Sequence, residues 1–117
     1  MKWEIDESMP IHNQLVNEII RRVVVGEYLS GQRIPSVREL SLEAKVNPNT
    51  MQKALLELEE RGIIYTQRTS GKFITEDKEI IKKLKTDISD DAVKKFIKEM
   101  NNLGYTKNEI INILRKE

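Results

Sequence analysis

The fold is decided by residues 36–55, whose sequence is SVRELSLEAKVNPNTMQKAL. Ser36 and Glu39 have the spacing of a capping box, in which the serine hydroxyl accepts a bond from the Glu39 N–H and the carboxylate bonds back to the serine N–H. A helix therefore starts at Ser36. Asn47 is a favoured N-cap and Pro48 suits the first position of a helix, so a further helix starts there. The stretch predicts two helices joined by a short turn.

The flanking sequence supplies the rest of a small α+β domain. Residues 10–25 carry apolar side chains every four positions, which predicts a helix. Residues 28–35 predict a turn-rich connection. Two short β-prone segments, 63–66 and 72–75, enclose a polar turn that contains a glycine, and this pattern is typical of a β-hairpin. The order helix, helix, turn, helix, hairpin matches a helix-turn-helix followed by a wing.

The C-terminal segment, residues 76–117, has a different pattern. Its apolar residues recur every three or four positions, which predicts a long helix that a cap at Ser89 could interrupt near 86–89. A glycine ends this helix, and a second capping box that begins at Thr106 opens a last one. We therefore expect a mainly α protein with a small β-hairpin: a winged helix-turn-helix domain over residues 1–75 and a short helical tail.

Composition excludes several classes of function. The chain has 117 residues, no cysteine and one histidine. Disulfides and thiolate metal sites are excluded, and no cluster of residues has the spacing of a catalytic triad, a phosphate loop or a metal site, so we expect neither an enzyme nor a bound metal or cofactor. The longest aliphatic run, Val23 to Val25, is far too short to span a membrane, and the N-terminus lacks a signal-peptide core. We expect a cytoplasmic protein.

The net charge of +1 hides an uneven distribution. Residues 1–32 contain three basic and five acidic side chains, whereas residues 33–75 contain seven basic and five acidic ones. No acid occurs between Glu43 and Glu57 or between Glu60 and Glu76. The start of the third helix and the whole hairpin are thus free of carboxylates, as a surface that faces phosphates requires.

Three segments carry a resemblance to a known family. They are GQRIPSVREL at 31–40, VNPNTMQKA at 46–54 and LEERGII at 58–64. Together they closely resemble the winged helix-turn-helix of GntR-family transcription regulators, and the NPNT turn with the short helical tail resembles the YtrA-like subfamily. The resemblance implies a sequence-specific DNA-binding regulator, a dimeric repressor that binds double-stranded DNA at an inverted-repeat, palindromic operator, with an ABC-transporter operon as its target. It names no small-molecule effector.

The same resemblance implies roles for individual residues. Arg38 would contact the operator, the polar start of the third helix would enter the major groove, and the hairpin tip would reach the minor groove. Family members outside the subfamily carry arginines where this chain has Pro48 and Gln52, so amide contacts to adenine are favoured over arginine contacts to guanine. The predicted DNA-binding residues are Ser36, Arg38, Asn47, Asn49, Thr50, Gln52, Lys53, Arg68, Ser70, Gly71 and Lys72.

Each of these residues has a simpler alternative. Arg38 could pair with Glu39 or Glu43 on its own helix, Ser36 and Asn47 could act only as helix caps, and the hairpin cations could deter edge-to-edge aggregation. A winged helix can also serve as a protein-interaction module, and the net charge permits that function. The acid-free stretches argue for DNA instead.

The apolar residues of the tail predict a twofold interface. Two short helices cannot enclose a ligand cavity of several hundred Å³, whereas a long apolar seam suits a helical dimer interface. The alternative is that these side chains pack on their own winged domain. The predicted interface residues are Ile88, Ala92, Phe96, Ile97, Met100, Leu103, Ile110, Ile113 and Leu114.

Overall fold

The computed structural model describes residues 3–117 and confirms the α+β winged-helix architecture. Three helices precede a two-stranded antiparallel sheet, and two more helices follow it. The elements are α1 (Ile11–Val24), α2 (Val37–Ala44), α3 (Pro48–Glu60), β1 (Ile64–Gln67), β2 (Gly71–Ile74), α4 (Lys78–Asn102) and α5 (Lys107–Lys116).

Local signals set the ends of the helix-turn-helix. The capping box forms as predicted: the Glu39 N–H donates to the Ser36 Oγ at 3.1 Å, and the Ser36 N–H donates to the Glu39 Oε1 at 3.1 Å. The Asn47 side chain accepts from the Asn49 N–H at 2.7 Å. Between the helices, Lys45 has a φ of 58°, a left-handed conformation that ends α2. The chain therefore turns sharply and re-enters a helix at Pro48.

The third helix is held by one fully buried stripe. Met51, Ala54, Leu55 and Leu58 have no exposed surface, and their spacing of three and four residues places them on one side of α3. This side packs on α1 and α2. Burial of a leucine or methionine side chain contributes about 1.5–3 kcal/mol, so the stripe fixes the rotation of α3 about its axis.

Both strands of the hairpin are shifted by one residue from the predicted segments: β1 covers 64–67 instead of 63–66, and β2 covers 71–74 instead of 72–75. Ile64 pairs with Ile74 and both are buried, while Tyr65 pairs with Phe73 on the other face, where their rings stack with centroids 5.6 Å apart. Alternate residues of a strand face opposite sides of the sheet. The wing therefore has an inner face that joins the core and an outer face that carries the aromatic pair.

The connection before α2 is more ordered than the sequence predicted. The Gly31 N–H donates to the Ile74 carbonyl at 3.0 Å, and the Ile74 N–H donates to the Gln32 carbonyl at 2.9 Å. The Ile34 N–H donates to the Lys72 carbonyl at 2.9 Å. Residues 31–34 thus lie along β2 as a third, extended segment. The prediction of a turn alone was incomplete because this pairing depends on residues some forty positions later in the chain.

The long C-terminal helix is not interrupted. α4 runs without a break through residues 86–89, so the predicted alternative of a new start at Ser89 is wrong; a capping serine does not stop a helix whose neighbouring residues continue it. The second capping box forms at Thr106 and opens α5. No helix among residues 3–117 is both long and apolar enough to cross a membrane.

The chain divides into two compact units, one that ends at Leu84 and one that comprises Lys85–Glu117. In the first unit, Ile80, Ile81 and Leu84 at the start of α4 join the apolar core. In the second unit, Ile110 is buried. The assignment of a separate function to residues 1–75 and to the tail stays a prediction.

A buried arginine ties the N-terminal segment to the core. Arg22 is only 3% exposed, and its Nε donates to the Glu18 Oε2 at 2.8 Å. One terminal nitrogen donates to the Tyr28 hydroxyl at 3.1 Å, and the guanidinium carbon lies 4.2 Å from the centroid of the Trp3 ring. The Trp3 Nε1 also donates to Glu43 on α2, at 3.3 Å. Trp3 and Tyr28 therefore pack on the guanidinium of Arg22.

Replacement of Glu18 should destabilise the first unit. A buried guanidinium that loses its carboxylate partner is left poorly compensated, so we expect Glu18→Gln to lower the free energy of unfolding by about 2–3 kcal/mol in urea denaturation. Glu7→Gln, a change of the same chemistry at an exposed position, should leave it unchanged. Equal stabilities for the two variants would contradict the role of this pair.

The Glu18 carboxyl, which bonds to Arg21 as well as to Arg22, predicts that stability depends on pH. The side-chain hydrogen bond from Arg21, with a smaller contribution from Arg22, lowers the pKa of the Glu18 carboxyl in the folded protein. Its contribution to stability is therefore complete above the pKa of the unfolded chain and is lost as the pH falls into the acid range. The Tm of the wild type should fall more between neutral and acid pH than the Tm of Glu18→Gln.

Candidate DNA interface

The exposed face of α3 gathers most of the residues predicted for its DNA contacts. Asn49, Gln52 and Lys53 are exposed and lie three and four positions apart, opposite the buried stripe. Thr50 is half-buried beside the N-terminal segment, in a groove that Trp3 also lines. The start of α3 thus presents amide and ammonium donors to solvent, the groups that bind base edges and phosphates.

Arg38 on α2 is free to bind a ligand. Its side chain is exposed, and within residues 3–117 it forms no hydrogen bond or ion pair. The two acids considered as its partners are used elsewhere: Glu39 closes the capping box with Ser36, and Glu43 bonds to Trp3 and lies 3.9 Å from Arg22. The bonds from Ser36 also lower the pKa of the Glu39 carboxyl. The alternative of a paired surface arginine does not form.

Ser36 and Asn47, both predicted to contact DNA, cap the N-termini of α2 and α3. The Ser36 hydroxyl is occupied by the Glu39 N–H, and the Asn47 side-chain oxygen is occupied by the Asn49 N–H. Both residues are exposed. Any contact with DNA would therefore use the donors that remain, above all the amide group of Asn47.

Two of the three acids at the C-terminal end of α3 bond to basic side chains of the protein. The Glu57 Oε1 lies 2.8 Å from the His12 Nε2 of α1, and the other Glu57 oxygen accepts from Arg61 at 3.4 Å. The His12 bond lowers the pKa of Glu57. The Glu59 Oε1 accepts from the Lys72 Nζ at 3.1 Å. These contacts direct two carboxylates away from the polar start of the helix.

The wing tip is a three-residue loop. Arg68 and Ser70 are exposed, and the Ser70 N–H donates to the Gln67 carbonyl at 3.1 Å. Gly71 follows with a φ of 109°, which only glycine adopts without strain. The loop thus needs Gly71 for its backbone and leaves Arg68 and Ser70 open to a partner.

Lys72 is less available than its position in the sequence indicates. Its side chain is 17% exposed, and its Nζ donates to Glu59 and, at 3.0 Å, to the Thr66 hydroxyl. It lies on the inner face of the hairpin, two positions from the buried Ile74. Its contact with DNA stays a prediction, and a phosphate would compete with Glu59 for the ammonium group.

Two exposed residues near the predicted DNA contacts were not predicted from the sequence. Leu56 is 48% exposed and shares the outer face of α3 with Gln52 and Lys53, where an apolar side chain can contact a thymine methyl group. Leu56 lies four positions after Gln52, and this spacing could have indicated that the two share one face of the helix. Arg33 is exposed and lies against Gly71 at the wing. No local pattern pointed to it. Among residues 3–117, no group of three or more potential metal ligands lies together.

Comparison with known proteins agrees with this geometry. Residues 11–74 match the gntR family of bacterial regulatory proteins. The chain is 41% identical over 111 residues to the uncharacterized HTH-type transcriptional regulator YhcF of Bacillus subtilis, covering 95% of this chain and 92% of YhcF. It is also 41% identical over 70 residues to the HTH-type transcriptional repressor YtrA of the same organism, covering 60% of this chain and 54% of YtrA.

A solved structure extends the similarity to nearly the whole chain. A GntR family transcriptional regulator from Listeria monocytogenes is 45% identical and superposes with a TM-score of 0.89. The match covers 97% of this chain and 99% of the Listeria chain. The resemblance to the GntR family and to its YtrA-like members is thereby confirmed.

Removal of the free guanidinium on α2 should abolish tight DNA binding. We expect Arg38→Ala to weaken binding to a selected duplex by about 5- to 150-fold, because a bidentate arginine contact is worth about 1–3 kcal/mol. The temperature of thermal unfolding should be unchanged, since Arg38 makes no hydrogen bond or ion pair within the described chain. Arg61→Ala, another exposed arginine, is the matched control. Wild-type affinity in a gel shift would remove Arg38 from the interface.

Proposed function

Because the chain belongs to the GntR family and is a DNA-binding transcriptional regulator, we propose that it is a sequence-specific repressor that binds an inverted-repeat operator as a homodimer. The observation that carries this proposal is the pairing of an unengaged Arg38 with the acid-free, exposed start of α3.

The proposed complex follows from the shape of the interface. The start of α3 would enter the major groove, where Asn49 and Gln52 can make paired amide contacts to adenine. The wing tip would lie over the adjacent minor groove, with Arg68 and Ser70 towards the sugar–phosphate backbone. Two subunits would bind half-sites about 10 bp apart, or a multiple of that distance, which makes the operator an inverted repeat.

The second unit supplies the proposed dimer interface. Phe96, Leu103 and Leu114 are 37%, 72% and 56% exposed, a large apolar surface for two short helices. Ala92 and Phe96 of α4 and Leu114 of α5 line an apolar groove of about 380 Å³ between the two helices. Burial of such a surface against a second copy is strongly favourable and suits a twofold helical interface.

Not all of the predicted interface is equally available. Ile110 is 4% exposed, so it packs inside its own unit and offers little surface to a partner. Val93, which was not predicted, is 51% exposed and lines the same groove. The remaining predicted residues are Ile88, Ala92, Ile97, Met100 and Ile113, which are exposed or half-buried.

Repression would come from occupancy of a promoter in the cytoplasm. A repressor bound at its operator blocks access of the polymerase to the DNA that it covers. YtrA, one of the similar proteins, is named a repressor, which supports this sign of regulation. The resemblance to its subfamily supports an ABC-transporter operon as the target.

Selection of bound duplexes from a random DNA pool tests the proposal. We expect an enriched inverted repeat with two equal half-sites, separated by about one helical turn or a multiple of it. The Arg38→Ala variant, taken through the same selection, should enrich no sequence. Enrichment of a single asymmetric site would contradict the dimeric mode, and no enrichment by the wild type would favour a protein-interaction module instead.

A charge in the apolar groove should separate the subunits. Leu114→Glu places a carboxylate on an exposed side chain of α5, so it should spare the fold of the subunit but oppose burial against a second copy. We expect monomers by light scattering and weaker operator binding. Asn112→Glu, exposed on the same helix, is the matched control and should stay dimeric. A dimer of Leu114→Glu at the same concentration would place the interface elsewhere.

A further inference from the structure

Arg33 lies against the backbone of the wing. It forms an antiparallel bridge with Phe73, and the neighbouring Ile34 N–H donates to the Lys72 carbonyl at 2.9 Å, so the Cα of Arg33 is fixed beside β2. A Cβ placed on Gly71 would lie 2.8 Å from the Arg33 Nε and 3.5 Å from its guanidinium carbon. The guanidinium therefore covers the position that a side chain at residue 71 would occupy.

The pairing of the strands determines where this side chain extends. Arg33 is opposite Phe73, which places it on the outer face of the hairpin with the stacked Tyr65. Gly71 lies two positions before Phe73 on the same face, one row nearer the tip. The Arg33 side chain thus reaches from the middle of the wing diagonally towards its tip.

Lys72 takes the opposite direction. It lies on the inner face of the hairpin, where its Nζ is bound to Glu59 of α3 and to Thr66. Lys72 is part of β2 and Arg33 is paired with it, yet the two differ in availability. The Lys72 ammonium is held by the protein, whereas the Arg33 guanidinium lies on the open face.

Arg33 keeps its charge available. Arg33 is exposed, and within residues 3–117 its side chain forms no ion pair. The carboxylate that feels its charge is Glu39, whose pKa is lowered first by its bonds with Ser36 and to a smaller extent by Arg33. Glu39 is already engaged in the capping box. The guanidinium is therefore a free, planar cation at the wing.

We propose that Arg33 is a DNA contact of the wing and that it supplies, together with Arg68, the positive charge that the hairpin places at the minor groove. Arginine suits this position because its weakly hydrated, planar guanidinium is attracted to the negative potential of a narrow minor groove. Gly71 has a second purpose in this arrangement, since the absence of its side chain lets the guanidinium lie flat on the wing. The inference rests on the proposed DNA interface.

The salt dependence of DNA binding tests this contact. Binding of a labelled duplex of random sequence is followed by fluorescence anisotropy over a range of salt concentrations. We expect Arg33→Gln to reduce the slope of log K against log salt by about 0.9, the value for one lost phosphate-neutralising cation. Arg33→Lys, which keeps the charge, should restore most of the slope. The control Arg61→Gln should keep the wild-type slope.

Other outcomes overturn the proposal. A wild-type slope for Arg33→Gln, in a variant with wild-type thermal stability, would remove Arg33 from the interface. A lower Tm with an unchanged slope would make Arg33 a support for Gly71 only. An equal loss of slope in Arg61→Gln would show that any cation of the domain has the same effect. Failure of the wild type to bind duplex DNA would instead overturn the proposed function, which separates the two claims.

Discussion

Burial of the apolar stripe of α3 is the constraint on which the DNA-facing surface depends. Met51, Ala54, Leu55 and Leu58 are enclosed completely, and one residue of slippage along a helix would rotate every side chain by about 100°. With the stripe held against α1 and α2, the positions between these residues have to face solvent. The core therefore determines which polar side chains of α3 are exposed at the proposed DNA interface, and these include Asn49, Gln52 and Lys53.

Charge is organised by pairing rather than by an excess of cations. The net charge is only +1, yet the acids nearest the interface are bound within the protein: Glu57 to His12, Glu59 to Lys72, and Glu39 to its own cap. Arg38, Lys53 and Arg68 remain without such partners among the described residues. A local positive field can thus exist on a nearly neutral chain, and such a field favours tight binding only where several contacts act together.

Much of the fold could be predicted because short-range signals control it. The caps at Ser36, Asn47 and Thr106 act within three residues and form as predicted. The hairpin and the core stripe follow from periodicity. The extended segment at 31–34 could not be foreseen, since its partners lie in β2. In α4 a local signal was misleading instead. Ser89 resembles a cap, but the helix-forming residues on both sides of it continue the helix.

The site was predicted less completely than the fold. Residue type identified Arg38 and the start of α3, because charge and spacing are visible in sequence. The side of a strand on which a cation lies is not visible there, so the bond from Lys72 to Glu59 and the position of Arg33 against Gly71 were not predicted. Burial of a charge is equally hidden: Arg22 lies seven positions after Leu15, on the side of α1 that enters the core, although arginine is rarely buried there.

The contact between Trp3 and Arg22 makes the intrinsic tryptophan fluorescence of the protein specific to one place in the fold. The chain contains one tryptophan, so all indole emission comes from the single point at which the N-terminal segment meets α1 and α2. A guanidinium against the ring and a bond to Glu43 create a distinct electrostatic surrounding for the indole. Any event that moves α2, which carries Glu43 and also Arg38, the residue proposed to contact the operator, changes the surroundings of this indole and can be followed without a label.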